Sequence, residues 1–259
     1  MTVSIDTLRA IFAAGVAPYV WPFFRISGLV MVAPVFGARL VPMRVRLALS
    51  LALTMAIAPG LPPTSVSSSL VLNGLLIAHE ILVGVAIGFG VQMIFDALVI
   101  GGQTIAMSMG LGFAMMVDPQ RGVSVPVVSQ FFVIVGILVF LALGGHLALI
   151  RLLADSFEVL PVGRFLDASS LWTVLGWGTQ LFAGAVRIAL PAVAGLLVVN
   201  IAFGVMSRAA PTLNLFAVGF PVTLLLGFLI LLLNIGSFPA LFAELLENAL
   251  EAAAAMLRG

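Results

Sequence analysis

The longest apolar segments of this chain exceed the thickness of a bilayer, and their length constrains the fold more than any other feature. A helix needs about 20 predominantly apolar residues to cross the hydrocarbon core. Leu70–Val117 and Leu171–Met206 both exceed this length, and the first contains no proline. Charged residues make up only 8% of the chain, against about 25% in a typical soluble domain. The excess apolar surface must therefore face lipid or other protein.

Backbone groups in lipid must pair within their own segment, so the apolar segments are predicted to be helices. We predict an all-α membrane protein with several long, partly broken apolar helices and helical hairpins. Leu70–Val117 is long enough for two spans if broken, or for one very long bent helix, whereas Val125–Leu153 is predicted as one clean span. The predicted helical segments, the last of them amphipathic, are Ile11–Phe36, Leu47–Leu61, Leu70–Val117, Val125–Leu153, Leu171–Met206, Thr212–Ile235 and Pro239–Arg258.

The distribution of arginine indicates an orientation in the membrane. Arg39, Arg44 and Arg46 form the tightest basic cluster and have no acidic residue nearby. The positive-inside rule places such a cluster in the cytoplasm. Six crossings would then put both termini outside, together with the acidic loop at residues 155–167.

The sequence lacks the motifs of an enzyme. It contains no Cys and only two His, which excludes thiol catalysis and thiolate metal sites. His79-Glu80 begins like a zinc-protease helix, but Val83 stands where that motif needs its second His. Gly84-x-x-x-Gly88 lies in an apolar helix, where this spacing is typical of close helix packing rather than of a nucleotide loop. We predict no catalytic, cofactor or metal site, and a net charge of +1 argues against nucleic-acid binding.

Four charged residues lie within the apolar segments, namely Arg25, Glu80, Asp96 and Arg187. Each costs at least about 2.5–3.5 kcal/mol at the centre of a membrane helix. One interpretation is a proton or ion relay in a secondary transporter. The other, which we favour, is that these charges pair with one another, with partner subunits or with water. A carrier for a small solute or ion remains the alternative function.

The Met107–Met116 segment combines methionine with glycine. Glycine weakens a helix by about 1 kcal/mol relative to Ala, and methionine fills irregular gaps without a fixed shape. These properties suit a compliant apolar plug that seals a channel, but they also suit an ordinary methionine-rich core contact, and composition does not separate the two. The predicted plug residues are Met107, Met109, Gly110, Leu111, Gly112, Phe113, Met115 and Met116.

Three segments of the chain together resemble the FliR family of flagellar type III export proteins. The most specific is Ser207-Arg208-Ala209-Ala210-Pro211, followed by Asn214-Leu215-Phe216 and Gly219-Phe220-Pro221. The other two are the segment from His79 to Gly84 and the glycine-rich stretch from Gly110 to Pro119. The similarity extends over essentially the whole chain, and the first string favours the flagellar branch over the related injectisome branch.

The resemblance implies a subunit of the flagellar protein-export gate in the bacterial inner membrane, at the flagellar basal body. Members of the family assemble with the sister proteins FliP and FliQ into a helical funnel through which unfolded flagellar subunits pass, and FlhB associates with it. The resemblance makes residues 1–170 FliP-like and residues 171–259 a FliQ-like helical hairpin. It also assigns the glycine-rich loop to the plug, with Phe113 and Met116 at apolar plug positions.

Five further residues are predicted to serve assembly or a helix break. Pro211 forces a break between two apolar helices, and Arg208 and Asn214 flank it. We expect these two to bind exposed backbone carbonyls at the break, although a solvated topology charge also explains Arg208. Arg25 and Glu80 are expected at contacts between subunits.

Overall fold

The computed structural model describes residues 17–38, 40–62, 69–112, 127–209 and 215–258. Within these ranges all regular secondary structure is helical, which confirms the all-α class. A 3-10 turn at Ala58–Gly60 directly follows the second helix. The α-helices are α1 (Ala17–Val32), α2 (Met43–Ile57), α3 (Leu70–Ser108), α4 (Val127–Ala142), α5 (Gly145–Val159), α6 (Ala168–Ala209), α7 (Leu215–Asn234) and α8 (Phe238–Arg258).

Two helices are far longer than the membrane is thick. Helix α3 has 39 residues and α6 has 42. At about 1.5 Å per residue, each extends for roughly twice the thickness of the hydrocarbon core. Of the two alternatives for Leu70–Val117, the structure therefore shows one long helix, which ends at Ser108. Helix α6 continues through Pro191.

The prediction of one clean span over Val125–Leu153 is wrong. The structure divides this stretch into α4 and α5, with a break at Leu143-Gly144. Gly144 has a φ of +70° and forms the N-cap of α5. Residues with a side chain rarely adopt this conformation, so glycine permits the break. Hydropathy did not reveal it because the residues on both sides are apolar.

Within the described part of the chain, three helical stretches are long and apolar enough to cross a membrane: Met43–Gly60, Val71–Ser108 and Ala168–Ala209. The pairs α4–α5 and α7–α8, each joined by a short break, raise the number to as many as five. The length and apolar composition of these stretches support the prediction that the chain is a membrane protein. The predicted number of six crossings is larger than the described helices provide.

The chain forms two compact units. The first unit consists of residues 1–92, 144–177 and 248–259, and the second of residues 93–143 and 178–247. Helices α3, α6 and α8 contribute a part to each unit. The family resemblance instead divides the chain at residue 170, into a FliP-like and a FliQ-like part. That division stays a prediction.

The first unit brings α1 and α3 into backbone contact through glycines. A Cβ on Gly28 would lie 2.5 Å from the carbonyl oxygen of Ile81, and a Cβ on Gly84 would overlap the carbonyl oxygen of Arg25. A Cβ on Gly88 would lie 3.0 Å from the backbone nitrogen of Ala33. The predicted close-packing role of Gly84 and Gly88 is therefore confirmed.

The second unit is built around phenylalanines from α3, α4 and α8. The ring of Phe95 makes edge-to-face contacts with Phe140 and Phe242, at centroid distances of 5.8 Å and 5.7 Å. Phe238 joins the cluster by contacts with Phe132 and Phe242. These contacts fix three helices to one another by large apolar side chains.

Gly84→Ala and Gly74→Ala make a matched test of the α1–α3 contact, because both positions lie in α3. A Cβ on Gly74 would meet no atom within 4 Å, so alanine there should stabilise the helix by about 1 kcal/mol. At Gly84 the backbone of α1 must move, and we expect a loss of about 1–3 kcal/mol. The thermal unfolding midpoint of the purified variants measures both effects. Equal midpoints would contradict the close contact.

Candidate functional site: the end of the long helix and a buried ion pair

Helix α3 ends in a glycine cap inside the Met107–Met116 segment. Gly110 has a φ of +85°. Its backbone N–H donates to the carbonyl oxygen of Met107 at 3.0 Å, and the N–H of Leu111 donates to that of Ala106 at 3.0 Å. This pair of bonds around a left-handed glycine is the Schellman motif, which satisfies carbonyls at a helix end. Regular helix thus ends at Ser108, before the predicted end at Val117, in agreement with the weak helix propensity of glycine.

Met109 anchors this helix end in the second unit. Its side chain is fully buried, and a Cβ on Gly227 of α7 would lie 2.6 Å from the Met109 Cγ. The hydroxyl of Thr223 shares its single proton between the carbonyl oxygen of Phe220 in its own helix, at 3.0 Å, and that of Met109, at 3.4 Å. Gly110 lies against the ring of Phe220. In this subunit Met109 is therefore a core residue, in agreement with the second interpretation of the segment.

Met107 lies on the opposite side of the same helix end. Its side chain is 63% exposed, whereas that of Met109, two residues further on, has no exposure. Gly110, Leu111 and Gly112 are half-buried. The predicted plug residues Phe113, Met115 and Met116 lie outside the described residues. The plug therefore stays a prediction, and among the described residues Met107 and Leu111 are the apolar side chains accessible for it.

Replacing each methionine by alanine separates packing from exposure. Met109→Ala should lower the free energy of unfolding by about 2–5 kcal/mol, since it leaves a cavity against Gly227. Met107→Ala should change it by less than about 0.5 kcal/mol, as surface substitutions do. Chemical or thermal denaturation of the two variants measures the difference. A large loss in Met107→Ala would show that a further contact covers this side chain.

The first unit holds a buried arginine, and each nitrogen of its guanidinium donates at least one hydrogen bond. Arg25 Nε donates to Glu80 Oε2 at 2.7 Å, and Nη2 donates to the carbonyl oxygen of Leu160 at 2.9 Å. Nη1 donates to the carbonyl oxygen of Ser156 at 2.9 Å and to its hydroxyl at 3.1 Å. The guanidinium also lies over the ring of Phe157, 4.2 Å from its centroid. Both Arg25 and Glu80 have no exposed surface.

This network explains how the membrane segments tolerate two charges. Glu80 neutralises Arg25, while the carbonyls of Ser156 and Leu160 at the end of α5 accept hydrogen bonds from Nη1 and Nη2. A positive charge also interacts favourably with the C-terminal dipole of a helix. Arg25 and Glu80 thus pair with one another. Sequence analysis had named such pairing, partner subunits and water as the alternatives. Both are buried within one subunit, so the expectation that they form a contact between subunits does not describe these side chains.

Glu80→Gln should destabilise the protein strongly, because it leaves the Arg25 charge buried without its counter-ion. Breaking such a pair typically costs about 3–5 kcal/mol. Glu158→Gln is the matched control, since it makes the same chemical change at an exposed position of α5. Unfolding midpoint and yield of the membrane complex should fall only in the first variant. A stable, assembled Glu80→Gln complex that no longer exports would instead favour a proton path through Glu80.

The other two charges of the apolar segments also have partners. Arg187 of α6 binds Glu244 of α8 through two parallel bonds, Nη1 to Oε1 at 2.9 Å and Nη2 to Oε2 at 2.7 Å. Both side chains are about half exposed. Asp96 also has an interaction partner. Arg187 is therefore paired within the chain, as the favoured interpretation of these charges predicts.

Arg208 lies in the last turn of α6 and is exposed. A basic side chain there interacts favourably with the helix dipole. Pro211 and Asn214, its predicted companions at the helix break, lie outside the described residues. The proposed binding of backbone carbonyls by Arg208 and Asn214 therefore stays a prediction.

Sequence analysis missed the partners that complete these sites. Ser156, Phe157 and Leu160 surround Arg25, yet they are more than a hundred residues away in the chain. Thr223 and Gly227 hold Met109 from a similar distance. No local pattern marks either set. Among the described residues, no group of three or more His, Cys, Asp or Glu could hold a metal ion.

Residues 16–249 match the model of the bacterial export proteins, family 1. The chain belongs to this family. Among the relatives in the export family, the flagellar biosynthetic protein FliR of Escherichia coli (strain K12) is 39% identical over 210 residues, which cover 81% of this chain and 80% of the relative. The flagellar biosynthetic protein FliR of Pectobacterium carotovorum is 39% identical over 230 residues, 88% of each chain. That of Aquifex aeolicus is 35% identical over 215 residues, 82% of this chain and 83% of the relative.

Proposed function

We propose that this protein is a membrane subunit of the bacterial flagellar protein-export apparatus, and that it helps to form and seal the channel through which unfolded flagellar subunits cross the inner membrane. The observation that carries the proposal is the similarity, over four fifths of the chain, to relatives named flagellar biosynthetic protein FliR. A carrier for a small solute is not favoured, because the family consists of export proteins.

The exposed apolar faces support assembly with other membrane subunits. Helix α6 carries large apolar side chains at helical spacing that nothing in the described chain covers, among them Leu175, Phe182, Val186, Leu190 and Leu197. Continuous apolar faces of this kind fit the helices of partner proteins. We propose FliP, FliQ and FlhB as these partners, in a helical funnel at the flagellar basal body in the inner membrane.

The sealing role is assigned to the Met107–Met116 segment. A resting channel that is wide enough for a polypeptide must still hold back ions. An apolar constriction does so by excluding water, without any charged group. Met107 is exposed and Leu111 is partly accessible at the end of α3, while Gly110 holds the chain in a conformation that leaves the helix. Phe113 and Met116 would supply the remaining bulk.

Complementation tests the membership in the export apparatus. A flagellated strain from which its own FliR gene is deleted should regain motility and secretion of flagellar subunits when it expresses this chain together with matching sister proteins. Co-purification should yield a complex that contains those proteins. The carrier alternative would instead be supported by solute uptake into liposomes that contain this chain alone.

The seal is tested by Phe113→Ala combined with Met116→Ala. We expect this variant to assemble normally but to make the membrane leaky to ions, because the constriction loses its apolar bulk. Conductance and complex yield should be measured on the same preparation. Met109→Ala is the control, since loss of a core side chain should reduce assembly rather than open a leak. An assembled, non-leaky double variant would end the plug proposal for this segment.

A further inference from the structure

His79 connects α3 to the loop of residues 161–167, which joins the end of α5 at Leu160 to α6 and is called the α5–α6 loop here. The backbone N–H of Leu166 donates to His79 Nε2 at 3.1 Å. The ring of Phe165 packs against the imidazole, with 4.7 Å between the centroids. The His79 residue is 9% exposed, whereas Phe165 is 49% exposed. The loop thus lies at the surface, and one hydrogen bond and one ring contact attach it to α3.

The hydrogen bond from Leu166 fixes the protonation pattern of the imidazole. A nitrogen that accepts a hydrogen bond must have a free lone pair, so the neutral ring carries its proton on Nδ1. That atom is buried and has no hydrogen-bond partner. Glu80 Oε1 is likewise buried without a partner, and it lies 3.9 Å from His79 Nδ1. A donor and an acceptor therefore face one another just beyond hydrogen-bonding distance.

We propose that His79 and Glu80 form a proton-binding site that attaches the α5–α6 loop when His79 is neutral and releases it when His79 is protonated. A proton from water would add to the lone pair of Nε2 and turn this acceptor into a donor. The N–H of Leu166 would then face another N–H, so the bond between them is lost. At the same time the Nδ1–H of the charged ring would be drawn towards the unused oxygen of Glu80.

The neutral and the protonated imidazole differ in how they share the Glu80 carboxylate with Arg25. In the described part of the chain, the carboxylate of Glu80 forms the ion-pair contact with the imidazole, and its other oxygen is bound to Arg25 of α1. Asp155 and Glu158, the charged residues of α5 that come just before the loop in the sequence, are exposed at the surface. Arg164 and Asp167 of the loop are exposed as well. The protonated imidazole would therefore share the single charge of Glu80 with Arg25, one carboxylate oxygen for each. Protonation occupies the Nε2 lone pair that accepts from Leu166, so the attachment should be present at the higher pH and lost at the lower.

Hydrogen exchange of the full-length protein in its membrane complex tests the release. We expect protection of the Leu166 amide to fall about ten-fold from pH 8 to pH 5.5, after correction for the intrinsic exchange rate, which corresponds to the loss of one hydrogen bond. His79→Gln keeps an acceptor oxygen but does not titrate, so its protection should not depend on pH. His146→Gln removes the other of the two histidines and should behave like the unchanged protein.

The proposal is overturned if the Leu166 amide of the unchanged protein is equally protected at both pH values. A pH response that persists in His79→Gln, or that disappears in His146→Gln, would also overturn it. If His79→Gln does not fold, nuclear magnetic resonance of histidine-labelled protein decides instead. Only two imidazole signals arise, and His146→Gln identifies them. The midpoint of loop release should coincide with the titration of His79, and different midpoints would reject the proposal.

Discussion

Polar groups that leave water must find partners inside the protein, and most of this structure follows from that constraint. The backbone meets it by forming helices, which run without interruption for 39 residues in α3 and 42 in α6. Hydroxyl groups meet it locally: in α2, Ser50 donates to the carbonyl oxygen of Arg46 and Thr54 to that of Ser50. Arg25 meets it by four hydrogen bonds to three residues. The same requirement explains the Schellman motif at the end of α3.

The Arg25 network depends on a glycine one helical turn away from Glu80. Because Gly84 has no side chain, the backbone of α1 can lie directly on α3 at Arg25. At this separation the guanidinium reaches Glu80 while its other nitrogens reach the end of α5. Burial of an ion pair is costly unless its geometry is good and its remaining hydrogen bonds are satisfied. Close backbone packing thus supplies the geometry that makes this charge tolerable.

Sequence predicted those features that depend on local composition. Apolar length indicated the helical class and the long helix from Leu70, although this helix ends at Ser108, before the predicted end at Val117. The break at Gly144 was missed, because a single left-handed glycine within an apolar stretch leaves hydropathy unchanged. The partners of Arg25 were missed because they come from a distant part of the chain. The different environments of Met107 and Met109 likewise depend on Gly227, more than a hundred residues away.

The end of α3 combines a fixed anchor with glycines that follow it directly. Met109 is buried against Gly227, and its carbonyl oxygen accepts a hydrogen bond from Thr223, so the last turn is fastened to α7. Beyond it, glycines replace side chains that would restrict the backbone. A seal that must yield to a passing chain needs both properties. In the proposed seal, the anchor would hold the fold in place while the glycines let the segment leave the passage. The buried methionine thus belongs to the core, and the exposed one is a side chain available to the proposed seal.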